Sequence, residues 1–175
     1  MQVQMNFDEI RSMMDNVDEN SKTIDAIVDD LVTECCSKLD EYVDYVKGLL
    51  SGVNYTLTNK QLDDIIVTVP TLCYYAGEQQ EKLGIRYDVA KSAKMALYNQ
   101  YYNEAEGTAA ARKASAESHV FNEEMVTVIY ERAHDTIKGK ISQATEILQS
   151  AKKIVTRRMA ESDITKIMSS KEKVS

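Results

Sequence analysis

Residues that interrupt secondary structure are scarce in this chain of 175 residues, which has one Pro, six Gly and no Trp. Long unbroken elements are therefore expected. No apolar run approaches the roughly eighteen residues of a membrane span, and the first residues lack the basic start and apolar core of a secretory signal. Three cysteines, two of them adjacent, make a poor disulfide framework. We therefore expect a cytoplasmic protein that does not enter a membrane.

Motifs for catalysis and metal binding are also scarce. One Glu-x-x-His step, from Glu131 to His134, resembles half of the site in four-helix di-metal proteins, which use two such steps and two further Glu. The second histidine, His119, has Ala116 instead of Glu three residues earlier. A Gly-rich phosphate loop and zinc-ligand spacing are absent from the sequence. We expect no catalytic residue, no metal and no cofactor, and a di-metal enzyme is a distant alternative.

Apolar residues recur at helical spacing over most of the chain. Between Ile24 and Leu49 they follow a heptad, on which Cys35 is explained as a small buried thiol, and a second heptad runs from Ile137 to Val155. The pattern predicts an all-α fold with a long antiparallel helical hairpin, additional N-terminal helices and coiled-coil-like packing. The first stripe is wide for a helix in a chain of this size, the second heptad needs a partner, and a hairpin alone covers only one of them. We therefore expect homo-oligomers, in which Leu31→Asp would place an unpaired charge in the seam of the first stripe.

Capping and breaking residues divide the chain into three predicted regions. These are an acidic N-terminal helical region over 1–60, a helical hairpin over 61–160 and a flexible tail over 161–175. The hairpin follows from the short connection at Gly107-Thr108, which forces its neighbours to run in opposite directions. The other predicted boundaries are a cap at Asn6, breaks at Asn20-Ser21 and near Gly52, a capping box at Thr58–Gln61, a helix end before Pro70 and another near Glu161.

Charge is divided unequally between the two halves of the chain. Residues 1–87 carry sixteen acids and seven bases, and residues 88–175 carry twelve acids and fourteen bases. Bases interleaved with tyrosines could hold single-stranded nucleic acid by phosphate contacts and base stacking. A solvated helix face and tyrosines that fill a core explain the same residues without any ligand. The candidate DNA-binding residues are Lys91, Lys94, Tyr98, Tyr102, Arg112, Lys113, Lys152, Lys153, Arg157 and Arg158.

The order of these features resembles the UvsY-type recombination mediators of tailed phages. Residues 91–107 (KSAKMALYNQYYNEAEG) look like that family's basic helix, which ends in Tyr-Tyr and then Gly. Residues 115–120 (SAESHV) are similar to its Ser-Ala-acidic segment, followed at comparable spacing by Tyr130, and the segment from Ala144 to Met159 also fits. The resemblance covers roughly residues 72–160.

The chain departs from the family's pattern at two places. Residues 1–60 have no counterpart. The family carries bases in the turn just before Tyr-Tyr, where this chain has Ala96, Tyr98 and Asn99, so only Lys91 and Lys94 could do the same work.

The resemblance implies an accessory protein without enzymatic activity that forms a ring-like homo-oligomer and binds single-stranded DNA. Its partners would be a phage strand-exchange recombinase, which it helps to load, and the single-strand binding protein that coats the DNA. The leading alternative is a non-enzymatic structural or adaptor protein, such as a virion component or a protein scaffold, that does not bind DNA.

Overall fold

Four helices account for nearly all of the described chain. The computed structural model describes residues 7–50 and 57–172, with side chains at 11, 17–19, 21–50 and 57–165. The helices are α1 (Phe7–Leu50), α2 (Asn59–Glu104), α3 (Ala109–His119) and α4 (Phe121–Glu172). No strand occurs in these two ranges. The all-α prediction is therefore confirmed.

The chain divides into two compact units, and three of the four helices contribute to both. Unit 1 comprises Met1–Cys35 and Gln80–Thr136, and unit 2 comprises Cys36–Gln79 and Ile137–Ser175. This division does not follow the predicted boundary near residue 60, because α1 supplies residues to each unit. The acidic first helix therefore contributes to both units.

In unit 1, α2 and α4 run antiparallel. The Gln80 amide nitrogen lies 3.2 Å from His134 Nε2, the Tyr87 hydroxyl donates to Glu131 Oε1 at 3.4 Å, and Lys94 pairs with Glu124. Residue numbers rise along α2 while they fall along α4, as in a helical hairpin. Gly107, with φ of +105°, makes the turn, and Thr108 caps α3 by accepting from the Ala111 amide. The predicted hairpin is therefore present.

In unit 2, α1, α2 and α4 surround an apolar core. Lys140 Nζ donates to both carboxylate oxygens of Asp40 at 2.8 Å, which ties α4 to α1, and the Tyr42 hydroxyl donates to Asp64 at 2.7 Å, which ties α1 to α2. The predicted heptad of α4 is buried here at Ile137, Ala144, Leu148 and Ala151. The other buried residues of unit 2 come from α1, from Leu57 just before α2, and from α2: Cys36, Leu39, Val43, Val46, Leu57, Leu62, Ile65, Val69 and Ala76.

The centre of the α1 stripe lies to one side of the predicted one. Cys36 is 1% exposed, whereas Cys35 and Leu31 are only half-buried, so the assignment of the buried thiol to Cys35 was wrong. Among the described side chains of α1, the buried ones are Val28, Val32, Cys36, Leu39, Val43 and Val46. Because the chain itself buries most of this stripe and of the α4 stripe, the width of the stripes does not by itself require a second copy.

Several predicted boundaries were also wrong. The helix α1 continues through Asn20-Ser21, and α2 continues through Pro70. Packing overrides the missing N–H of Pro70, because Ile65, Val69 and Ala76 bury the same side of α2 before and after it. An unpredicted break follows His119, where Val120 caps α3, and α4 extends past Glu161 to Glu172.

Three boundary predictions have a different outcome. The capping box is confirmed, since Thr58 N donates to Gln61 Oε1 at 2.8 Å and Gln61 N donates to Thr58 Oγ1 at 3.2 Å. The proposed cap at Asn6 and stop near Gly52 lie outside the described residues.

Candidate nucleic-acid interface

A column of stacked planar groups lies in unit 1 where α2 meets α3. The rings of Tyr98 and Tyr102, one helical turn apart, have centroids 6.2 Å apart and planes within 18°. The guanidinium carbon of Arg112 lies 4.5 Å from the Tyr102 centroid, and Arg112 Nε donates to the Tyr102 carbonyl at 2.8 Å. The turn at Gly107 thus brings three predicted residues together. All three are half-buried, so each presents part of its surface to solvent.

A second aromatic pair lies in the same part of unit 1. The rings of Tyr101 and His119 have centroids 4.3 Å apart and planes within 26°. His119 Nδ1 lies 2.7 Å from the Ser115 carbonyl oxygen. Because a carbonyl oxygen only accepts, this hydrogen bond needs the tautomer with hydrogen on Nδ1, and it holds the ring in place. The pairing of His119 with Tyr101 could not be predicted from the sequence, because it requires α3 to fold onto α2.

The lysines of the first predicted group differ in their availability to a ligand. Lys91 is exposed, and its ammonium lies 5.5 Å from the centroid of the Tyr87 ring. Lys113 is exposed and 3.6 Å from Glu117, an i, i+4 pair of little strength. Lys94 is mostly covered and is neutralised by Glu124. Lys91 and Lys113 are therefore the cations that this group offers to a phosphate, while Lys94 joins α2 to α4.

The second predicted group lies on α4 in unit 2 and also divides by role. Lys152 and Lys153 are exposed, and neither forms a salt bridge with any described residue. Arg157 is exposed and 3.6 Å from Glu161. Arg158 instead donates to Asn59 Oδ1 at 2.9 Å and to the Leu57 carbonyl, which fastens α4 to the start of α2. Three of the four side chains remain available to an anion.

The other reactive groups considered in the sequence have structural partners. Glu131 accepts from Tyr87, and His134 lies against Gln80 and Asp135. Within residues 7–50 and 57–172, no three His, Cys, Asp or Glu side chains are grouped as a metal site would need. Burial raises the pKa of the Cys73 thiol, so less of it is thiolate at neutral pH.

Comparisons with known proteins give no match, whether the chain is set against protein-family models, curated protein sequences or solved structures. The resemblance to UvsY-type mediators therefore depends on the residues quoted for it above. Over the part of the chain that the structure describes, no helix is long and apolar enough to cross a membrane.

Proposed function

We propose that this protein is a recombination mediator that binds single-stranded DNA and helps to load a phage strand-exchange recombinase onto DNA covered by single-strand binding protein. The observation that carries the proposal is the column of Tyr98, Tyr102 and Arg112. Stacked planar groups that are partly open to solvent suit unpaired bases, which have exposed ring faces and no fixed partner. The family resemblance supports the same function, since Tyr102 belongs to the Tyr-Tyr pair on which it depends.

In this mechanism, stacking contributes more at the column than charge does. The segment 98–119 has two bases, Arg112 and Lys113, against the acids Glu104, Glu106 and Glu117. Phosphate contacts then fall to Lys91 and Lys113, and to the outward cations of α4 in unit 2. Binding by few phosphate contacts is weak and reversible at physiological salt, which suits an accessory protein that must release the strand to a recombinase.

The experiment is a fluorescence anisotropy titration of a labelled, unstructured single-stranded oligonucleotide. Replacement of the stacked pair, Tyr98→Ala with Tyr102→Ala, should weaken binding by about 1–3 kcal/mol for each base that loses its platform. The matched control is Tyr74→Ala with Tyr75→Ala, an exposed tyrosine pair on the same helix that belongs to unit 2. The control should bind like the parent protein.

Two outcomes would contradict the proposal. A parent protein that does not bind the oligonucleotide would favour the adaptor alternative, for which exposed apolar residues on α2 such as Val67 and Ile85 supply a protein-binding surface. Equal loss of binding in both tyrosine pairs would mean that the column has no special role. Loading itself is tested by whether the parent protein, and not the Tyr98/Tyr102 variant, speeds recombinase assembly on DNA pre-coated with single-strand binding protein.

A further inference from the structure

The outer side of α2 in unit 1 carries an apolar strip on which no described residue packs. Ile85 and Val89, one helical turn apart, are 62% and 63% exposed, and the exposed small residues Ser92 and Ala96 continue the same face. The opposite side of α2 is buried at Leu83. Exposure of two large aliphatic side chains side by side to water is unfavourable unless another surface covers them. We call this strip the α2 face.

The α2 face has charges of opposite sign along its two edges. Lys82 and Arg86 lie on the edge nearer α1, where both act on the Cys35 thiol of that helix. Burial and then Glu34 raise the pKa of this thiol, and Arg86 and Lys82 oppose the rise. Helical periodicity places Glu81 and Asp88 on the other edge. No salt bridge among the described residues involves any of these four flanking charges.

Unit 1 also contains an open groove. It lies between α1 and α4, encloses about 840 Å³ and has no α2 residue in its lining. Its apolar lining includes Ile24 and Val28 from α1 and Met125 and Val128 from α4. The α1 wall is acidic and the α4 wall is basic, through Asp25 and Asp29 on one side and Arg132 on the other.

We propose that the α2 face of one copy docks into the α1–α4 groove of a second copy. Ile85 and Val89 would cover the apolar lining, Lys82 and Arg86 would meet Asp25 and Asp29, and Asp88 would meet Arg132. When the two copies have the same orientation, both charge pairings form at once. The reason is that Lys82 and Arg86 lie on the α1 side of α2 in every copy and therefore face the α1 wall of the neighbouring groove. Since the two surfaces differ, the contact is head-to-tail, and each added copy presents a new free face and a new free groove. The assembly closes as a ring or grows as a filament, and it does not depend on DNA binding.

The experiment uses two variants of the full chain that each disable one surface. The face variant carries Ile85→Glu and Val89→Glu, and the groove variant carries Asp25→Lys and Asp29→Lys. All four positions are exposed, so both variants should keep the helical circular dichroism of the parent protein. In sedimentation velocity at micromolar concentration, the parent protein should form species larger than dimers. Each variant alone should be monomeric, with a dissociation constant raised at least about 100-fold, or tenfold for each lost contact residue.

Mixing the variants separates a head-to-tail contact from a symmetric one. The face variant retains a groove and the groove variant retains a face, so their mixture should form a one-to-one heterodimer and nothing larger. Charge reversal gives a second test: Lys82→Glu with Arg86→Glu should prevent assembly, and combining it in one chain with Asp25→Lys and Asp29→Lys should restore it. The matched control is Val67→Glu with Tyr74→Glu, equally exposed on α2 but in unit 2, which should assemble like the parent protein.

Several results would overturn the proposal. These are a monomeric parent protein, normal assembly by the face or groove variant, a mixture that stays monomeric, no restoration by charge reversal, and loss of assembly in the control. The Tyr98/Tyr102 variant bears on DNA binding alone and should assemble normally, so failure of one proposal is distinguishable from failure of the other.

Discussion

Two adjacent arginines near the end of unit 2 show how one residue step separates a structural role from a surface role. Arg158 bonds to Asn59 and to the Leu57 carbonyl, whereas Arg157 reaches only Glu161, one turn away on the same exposed face. Both belong to the predicted DNA-binding group. The structure therefore gives them different expected effects on stability.

We predict that Arg158→Ala lowers the free energy of unfolding by about 1–2 kcal/mol, because the Leu57 carbonyl loses a charged donor. The control Arg157→Ala should change stability by less than about 0.5 kcal/mol, as expected for an exposed i, i+4 pair. Urea denaturation of the two variants checks the difference. Equal effects would mean that the bonds of Arg158 do not hold α4 to the start of α2.

A second residue-scale prediction concerns Tyr42. Partial burial, followed by its hydrogen bond to Asp64, raises the pKa of Tyr42 from 10.0 to about 12. A raised folded-state pKa adds stability that is complete below pH 10 and is lost as pH rises through about 12. Tyr42→Phe should therefore be less stable than the parent protein at pH 8, and this difference should shrink between pH 10 and pH 12. Urea titrations across that range test it, and a constant difference would contradict it.

At the scale of the element, α2 contains the one proline of the chain within a continuous helix of 46 residues. Pro70 cannot donate an N–H to the preceding turn, and its side chain is exposed. We predict that Pro70→Ala raises the free energy of unfolding by about 1–2 kcal/mol, less than the full helix preference because the unfolded chain also gains freedom. Thermal and urea unfolding measure this change. A loss of stability would show that unit 2 needs the local geometry that proline imposes.

The outward cations of α4 give a prediction about salt dependence. If Lys152, Lys153 and Arg157 each contact a phosphate, their joint replacement by Ala should lower the slope of log affinity against log salt by roughly 2, at about 0.7 per contact. Lys91→Ala with Lys113→Ala should lower it by about 1.4. Titrations at several salt concentrations give both slopes. If the triple variant keeps the parent slope, these α4 cations form a solvated face and do not contact DNA.

At the scale of the whole molecule, the described residues hold no group of three potential metal ligands, which leads to one further prediction. The purified protein should contain no stoichiometric iron, manganese or zinc, because Glu131 and His134 already have hydrogen-bond partners from α2. His134→Ala should leave DNA binding unchanged. Elemental analysis of the parent protein and this variant is the measurement. A stoichiometric metal that is lost from His134→Ala would revive the di-metal alternative.

The sequence by itself determined the helical fold and the reversal of the chain. These features depend on interactions between residues close together in the sequence, so the local sequence is enough to predict them. They are the scarcity of Gly and Pro, the two heptad stripes, the Thr58–Gln61 capping box and the Gly107-Thr108 turn. The Tyr98–Tyr102 pair was equally predictable, since i, i+4 residues share a helix face.

Only the tertiary structure decided which apolar residues are buried and which cations are free. Because the α1 stripe is several residues wide, only its packing against the other helices determines that Cys36, and not Cys35, lies in the core. Packing on both sides of Pro70 kept α2 continuous against local preference. The hydrogen-bond partners of Arg112 and Arg158 lie 10 and 99 residues away in the sequence, and both belong to α2. Such choices depend on residues distant in sequence, and a helical period carries no information about what will face it.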